Sequence, residues 1–436
     1  SKGMKKKFTR RTSPEDYDAF IMRFDEHNEL KWATFFGGNG YDRFNDIKLS
    51  ENSFRIVGYT TSGNPHNPST GSPCLANNSG EYPDCDNDVS NTGDYYVNAY
   101  GGGEDGIIAA FNSDDQLIWS TYFGGSDWDN IFGIDIKPGS SIFSITGATS
   151  SSADFPQYPP TSTSDYLQPY GGGNTDAFVA TFDNFTINWS SFIGGSGDDF
   201  CSDICYDLNS KIYLAGQTSS ATSQNTCIVP TVSGSFPLCS GPGYYSHIIS
   251  GSYNSFLAAF NAADNSLYWS TYIGGANESH AYGIASYNNG NIGKIYLISN
   301  EFTTAALPIF PIVSFLNSDY YGPYPMTNPN STNDCIISRF DISTPTSIND
   351  KFFDYDIKIY PNPLHDKLIV ENDIYLNPIQ KLIVYNSLGQ NIYSKMILNN
   401  RKNTVEEIDF GGAGDGIYIL QIILKNGMVT KKIIKQ

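Results

Sequence analysis

Apolar and polar positions alternate in short runs along most of this chain. In Leu117–Phe123 (LIWSTYF), Leu117, Trp119, Thr121 and Phe123 point one way and Ile118, Ser120 and Tyr122 the other; in 177–182, Phe178 and Phe182 oppose Ala177 and Val179. A period of two predicts β-strands. Apolar residues on both sides predict strands whose sheet is covered on both faces. The pattern also recurs: the segment that begins DAFIMRFD at 18 and ends in a Trp-containing strand and Gly-Gly returns at 105, 176 and 254, and its first half returns at 334 as DCIISRFD. A second unit of two strands follows each full copy, at 41, 128, 198 and 278. The expected order is therefore two strands, three sets of four, and three. Only the polar stretches 63–99, 152–170, 221–250 and 303–333 differ in length between copies, which marks them as surface loops.

Sheets that must be buried on both sides, repeated in series, predict an all-β repeat body with four-stranded antiparallel blades stacked radially as a β-propeller. DAFVATFD (176–183), LIWSTYFGG (117–125), the Asp-Phe-Pro at 154–156 and the YGGG at 100–103 and 170–173 carry a further message. Over 18–341 they resemble the bacterial repeat family known as the seven-bladed β-propeller repeat. The resemblance implies a propeller, yet only four full copies are present and the last lacks its Trp strand. The expectation is about four blade units that form part of a larger ring, with a four-bladed ring and one leftover strand as the alternative. Residues 1–17 read as a basic tail without the apolar stretch of a signal peptide. A leader already removed, or a start inside a longer protein, accounts for that.

The repeat stops at 341, and 342–351 reads as a polar linker. Alternation in 381–385 and 417–424, with turn signals at Leu388-Gly389 and Asn426-Gly427, predicts a small immunoglobulin-like β-sandwich over 352–436. Four landmarks occur there in order: Tyr360-Pro361-Asn362-Pro363; Val384-Tyr385-Asn386 with Leu388-Gly389-Gln390; Gly416-Ile417-Tyr418; and Lys431-Lys432-Ile433-Ile434. Together they resemble the type A C-terminal sorting domain of the type IX secretion system of Bacteroidota. By that resemblance the partner is the type IX translocon, the destination is the outer-membrane surface or the medium, and the domain is in most relatives removed after export.

Charge and cysteine content sharpen this picture. The net charge is −19, and residues 12–350 hold nine basic against 36 acidic side chains. A surface of that sign repels phosphate backbones and argues against nucleic acid as a partner. No apolar run approaches the roughly 20 residues of a membrane-spanning helix. Seven cysteines leave at least one unpaired. Cys74 with Cys85, and Cys227 with Cys239, each enclose a polar loop with little apolar content, and a disulfide across each is expected, as suits an oxidising, exported location. Cys201, Cys205 and Cys335 read as buried small apolar residues.

Candidate chemistry is sparse. None of the five histidines (His27, His66, His247, His280, His365) has metalloprotease spacing, and neither a nucleophile elbow nor a phosphate loop occurs. No catalytic residue is assigned, and an enzyme is not expected. The recurrent polar feature is the carboxylates after each Gly-Gly: Asp42 and Asp46, Asp127 and Asp129, then Asp198, Asp199 and Asp203, replaced by Ser279 and Gly283 in the fourth copy. They could ring a channel and hold Ca²⁺, a hard cation that takes clustered oxygens, or cap turns through backbone N–H groups. Trp32, Trp119, Trp189 and Trp269 belong to the core between blades. Ligand contact, if any, falls to the loop tyrosines Tyr95, Tyr96, Tyr158, Tyr244, Tyr245, Tyr320, Tyr321 and Tyr324. The expected role is structural, adhesive or binding, toward surface glycan, protein or further copies of the chain. A polysaccharide-active propeller enzyme and a self-assembling surface layer or filament subunit are the alternatives.

Overall fold

A computed structural model describes residues 17–50, 53–63, 74, 82–86, 93–158, 166–221, 227, 234–240, 252–274, 278–288, 293–301, 334–341, 357–372, 379–386, 390–397, 404–424 and 427–436. Among these residues every regular element is a strand. They divide into two compact units, one ending at Asp341 and the other within 342–436. The Tyr244, Tyr245, Tyr320, Tyr321, Tyr324, His66, His247 and Gly389 positions lie outside the described residues.

The first unit is a series of antiparallel sheets. Sheet one pairs β1 (Ala19–Phe24) with β2 (Leu30–Phe36). Sheet two joins β3 (Asp42–Ser50), β4 (Ser53–Thr60), β5 (Cys85–Asp86), β6 (Asp105–Asn112) and β7 (Leu117–Phe123) in the order β3-β4-β6-β7-β5. Sheet three runs β8 (Asp129–Ile136), β9 (Ile142–Thr149), β10 (Asp176–Asp183), β11 (Thr186–Ile193), and sheet four runs β12 (Asp199–Tyr206), β13 (Lys211–Thr218), β14 (Asn254–Asn261), β15 (Leu267–Ile273). Sheet five holds β16 (Ser279–Asn288), β17 (Gly293–Glu301) and β18 (Asp334–Asp341). The order two, four, four, four, three read from the repeats is present, with the two-residue β5 added at one edge.

Local chemistry explains the hairpins. The turn between the third and fourth strand of each repeat carries a residue with positive φ: Asn28, Asp115, Asn184 and Asn265, at 61°, 60°, 56° and 49°. Asn and Asp tolerate this left-handed region better than other non-glycine residues. An Asx side chain at the strand end holds two of these turns; Asn112 Oδ1 accepts the N–H groups of Asp114 and Gln116, and Asp25 Oδ1 those of His27 and Glu29. A bulge follows in each case, at Arg23/Phe24, Ala110/Phe111, Thr181/Phe182 and Ala259/Phe260.

Successive sheets then bury each other's faces. Ile21 and Phe36 of sheet one pack with Ile107, Ala109 and Phe111 of sheet two. Ile108, Ala110 and Trp119 of sheet two pack with Phe178, Ala180 and Phe182 of sheet three. Ala177, Val179 and Trp189 of sheet three pack with Phe256, Ala258 and Phe260 of sheet four. The DAF-type strand is thus buried on both sides, and each fully buried Phe contributes about 1.5–3 kcal/mol. Trp119 and Trp189 are fully buried, Trp269 is buried and Trp32 is half-buried. The indole N–H groups of Trp119 and Trp189 donate to the carbonyls of Tyr95 and Tyr166.

Loops before the DAF-type strands dock along the outer strands at one repeated position. Cys85 pairs with Ser120, Cys239 with Ser270 and Tyr158 with Ser190. The disulfides Cys74–Cys85 and Cys227–Cys239 fasten two of these loops. Cys201 and Cys205 are buried free thiols, as read. Cys335 is free but exposed, contrary to the expectation, because no sheet lies against that face of β18 among the described residues.

The second unit is a sandwich of two sheets, β19 (Ile357–Tyr360), β20 (Lys367–Asn372) and β23 (Thr404–Asp409) against β21 (Ile379–Tyr385), β22 (Asn391–Met396), β24 (Gly416–Leu424) and β25 (Gly427–Lys435). Leu368, Val370, Leu382, Val384, Leu420, Ile422 and Ile433 form its core.

Two measurements test this packing. Trp119→Ala should lower unfolding stability by about 3–5 kcal/mol in a denaturant titration, since the change both opens a cavity and orphans the Tyr95 carbonyl. Alkylation without reductant should label Cys335 in the folded protein and, after denaturation, Cys201 and Cys205 as well, while the four disulfide cysteines stay unlabelled until reduced.

Candidate functional site

The recurrent carboxylates separate into two series. Asp42, Asp129 and Asp199 open β3, β8 and β12 and are 0–2% exposed. Each folds its side chain back onto the Gly-Gly segment before it. Asp42 Oδ2 accepts the Gly38 N–H (2.9 Å) and the Ser62 hydroxyl (3.0 Å). Asp129 Oδ2 accepts from Gly125 N–H (2.7 Å) and Ser151 (2.9 Å), and Asp199 Oδ2 from Gly195 N–H and Ser220 (both 2.8 Å). Burial pushes their carboxyls up to about 6, 6 and 7, against the pull of these hydrogen bonds. In the fourth copy the Ser279 hydroxyl takes this place and accepts the Ser255 N–H.

The second series joins sheets. The first strand of each repeat bulges at the same point, at Phe44/Asp46, Ile131/Gly133, Cys201/Asp203 and Ala281/Gly283. A bulge re-aims its side chain. Asp46 Oδ2 accepts the backbone N–H of Ile134 on β8 (2.9 Å), and Asp203 Oδ2 that of Ile284 on β16 (2.8 Å). Between β8 and β12 the bulge residue is Gly133, and Asp135 serves instead, accepting the Tyr206 N–H at 2.7 Å. Lys48 Nζ lies 2.9 Å from Asp135 Oδ1. Desolvation raises the Asp46 carboxyl and takes that of Asp203 to about 6.

Asp127 is exposed, and its N–H donates to Ser151 (2.9 Å). Asp198 Oδ1 accepts the Asn174 N–H (2.6 Å) and its Oδ2 the Tyr253 hydroxyl (3.2 Å). The seven carboxylates considered for Ca²⁺ therefore do not converge, and among the described residues no three His, Cys, Asp or Glu side chains are placed to hold a metal. All of them but Asp127 accept backbone N–H groups. Asp135, Lys48, Asp105 and Asp176 were missed as candidates, although the last two recur in sequence as plainly as Asp129 and Asp199.

Of the described loop tyrosines Tyr95 is buried, Tyr96 half-buried and Tyr158 exposed. Tyr95 is buried against Phe123 and Phe182, Tyr158 stacks edge-on against Tyr95, and the Tyr96 hydroxyl donates to Asp84 (2.6 Å). His280 sits on β16, bonded to Gln217 and 3.0 Å from Glu278.

In the second unit the landmark residues meet. The Asn362 side-chain amide donates to the Lys432 carbonyl and its oxygen accepts the Ile434 N–H, both at 2.9 Å. Leu364 exchanges backbone hydrogen bonds with Ile434 and Gln436. Pro361 and Pro363 both follow cis peptide bonds. The Tyr-Pro-Asn-Pro segment is thereby stitched to β25, leaving Lys431 and Lys432 exposed beside a concavity of 220 Å³ lined by Ile359, Asn362, Lys431, Lys432 and Ile433. Tyr418 is buried edge-on against Phe410, and its hydroxyl donates to the Gly414 carbonyl (2.6 Å). Gly416 opens β24, two residues before Tyr418.

Removing one intersheet carboxylate should be measurable. Asp203→Ala leaves the Ile284 N–H without its partner and should cost about 1–3 kcal/mol of unfolding free energy, whereas Asp127→Ala should change it by less than about 0.5 kcal/mol.

No curated protein matches the chain. Among solved structures the chain is similar, at 8% identity and a TM-score of 0.15, to dimeric latent PorU from Porphyromonas gingivalis; the match covers 74% of this chain and spans 36% of that one. It is similar to a glycoside hydrolase of family 32 from Bifidobacterium adolescentis (9% identity, TM-score 0.23, covering 92% and 66%) and to a Synechocystis apocarotenoid oxygenase mutant (8%, 0.22, 97% and 94%). Likenesses this remote say nothing about activity. The informative match is local: residues 358–436 fit the family described as the secretion system C-terminal sorting domain. Among the described residues no helix is long and apolar enough to cross a membrane. The second unit is thus a sorting domain handled by the type IX secretion machinery, and the protein is one exported to the cell surface or the extracellular space.

Proposed function

We propose that the chain is a surface-displayed or secreted β-propeller protein with a structural, adhesive or binding role, delivered by its C-terminal domain. The observation that carries the reading is the repeated packing of one sheet face on the next, joined along the first strands by Asp46, Asp135 and Asp203. Blades stacked about an axis bury both faces of every sheet in this way. A Bacteroidota origin follows from the sorting domain as a further part of the proposal.

A non-catalytic role accords with the chemistry on view. Asp42, Asp129 and Asp199 carry raised carboxyls of the kind that general acids need, but they are 0–2% exposed and occupied by Gly-Gly segments. The polysaccharide-active alternative would require carboxylates open to a sugar chain.

Export is tested by fusing 358–436 to a periplasm-directed reporter in a host with a type IX system. The reporter should reach the surface or medium, and should remain in the periplasm when the segment is deleted or the translocon is absent; equal export without the segment overturns the reading. Release of reducing ends from a polysaccharide panel by the purified protein would overturn the non-catalytic role.

A further inference from the structure

At one end of the stacked sheets a row of polar residues runs from strand to strand. Asp42, Thr60 and Asp105 are successive partners across sheet two, and Asp129, Thr149 and Asp176 across sheet three. Sheet four has Asp199, Thr218 and Asn254. Where one sheet meets the next, the Asp129 N–H donates to the Glu104 carbonyl (2.7 Å) and the Asp199 N–H to the Thr175 carbonyl (2.8 Å), which sets Asp105 beside Asp129 and Asp176 beside Asp199. All four are 0–1% exposed.

The hydrogen bonds of Asp105 and Asp176 are one-sided. Asp105 Oδ2 accepts the Gly101 N–H at 2.7 Å and Asp176 Oδ2 accepts that of Gly171. The Oδ1 atoms of Asp105 and Asp176 are buried without a hydrogen-bond partner, whereas the carboxyls of Asp129 and Asp199 also have the hydroxyls of Thr149 and Thr218 beside them. A Cβ placed on Gly194 would lie 2.7 Å from Asp176 Oδ1 and 2.7 Å from Asp199 Oδ2, so the two carboxyls flank that glycine. Among the described residues the other ionisable groups bearing on the pairs are Asp154, Glu104, Tyr95, Tyr100 and Tyr122 around Asp105 and Asp129, and Asp198, Tyr166 and Tyr170 around Asp176 and Asp199. None is a cation. Two ionised carboxylates cannot share a buried site without a positive partner.

The fourth copy shows what the site accepts in place of that charge. Asn254 stands where Asp176 does and Ser279 where Asp199 does, and the Asn254 Nδ2 lies 2.7 Å from the position of a Cβ on Gly274, as Asp176 Oδ1 does at Gly194. An amide N–H₂ has replaced the orphaned oxygen. An Asn side chain has the shape of a protonated Asp.

We propose that each of the pairs Asp105–Asp129 and Asp176–Asp199 holds one proton, so that the repeat body is fastened sheet to sheet by carboxylic acid–carboxylate contacts, each with one negative charge instead of two, that loosen in alkaline surroundings. The direction of titration agrees: burial raises Asp105 to about 7 and Asp176 to about 8. A folded state that binds more protons than the unfolded one is most stable below the ordinary aspartate range, about pH 4, and loses that contribution as pH rises through the folded values.

The test uses the full chain in chelator-treated buffer. The wild-type unfolding midpoint should fall from about pH 5 to about pH 9, and a protonated-carboxyl carbonyl band should be present at neutral pH in the infrared spectrum of the folded protein. Asp105→Asn combined with Asp176→Asn, which installs the side chain of the fourth copy, should reduce the pH dependence and weaken the band, the rest of the slope belonging to Asp42, Asp46 and Asp203. A flat wild-type profile, a missing band in the wild type, or an unchanged slope in the double variant overturns the proposal. So does an alkaline midpoint restored by calcium alone, which would mean that a divalent cation, and not a proton, relieves the repulsion within each pair.

Discussion

A strand with apolar side chains on both faces cannot satisfy them within its own sheet, and this constraint governs the first unit. The contrast between equivalent positions makes the point. Ile107, Ala109 and Phe111 are fully buried because sheet one lies against them, whereas their counterparts Phe20, Met22 and Phe24 on β1 are 60%, 48% and 52% exposed. Burial therefore belongs to the pair of neighbouring sheets and not to the strand. A repeat array built this way gains most of its stability from nearest-neighbour interfaces, and the polar devices serve those interfaces: bulged aspartates bond across from one first strand to the next, and the row of Asp and Thr residues closes one end.

Much of this was legible because it is periodic. Alternation gave the strands, recurrence gave their grouping, and the polar loops enclosed by Cys74 and Cys85, and by Cys227 and Cys239, gave the disulfides. What escaped is what depends on which sheet follows which. Cys335 sits at a strand position that is buried wherever a further sheet covers it, and its exposure is a property of the stack, not of DCIISRFD. Asp135 was invisible because the bulge residue in that repeat is Gly133, which moves the intersheet hydrogen bond two residues along the strand. The loop tyrosines look like a contact surface in sequence, yet Tyr95 supplies the carbonyl that satisfies the Trp119 indole.

The second unit follows a different logic. Its landmarks are scattered through the sequence, but the Asn362 side chain ties the first of them to the last strand, so the exposed lysines near the terminus are held on a fixed backbone. A transport machine reading that corner would meet a rigid shape carrying two positive charges, attached to a cargo of the opposite sign.

The two bridged loops have a consequence for where the molecule reaches its final form. Both are docked on outer strands at equivalent serines, Ser120 and Ser270, while the intervening sheet uses Tyr158 at Ser190 without a covalent link. Bonds of this kind do not persist in a reducing cytoplasm. Alternate sheets are therefore latched only after the polypeptide has crossed its first membrane, and the outward journey itself becomes the last step in assembling the body it delivers.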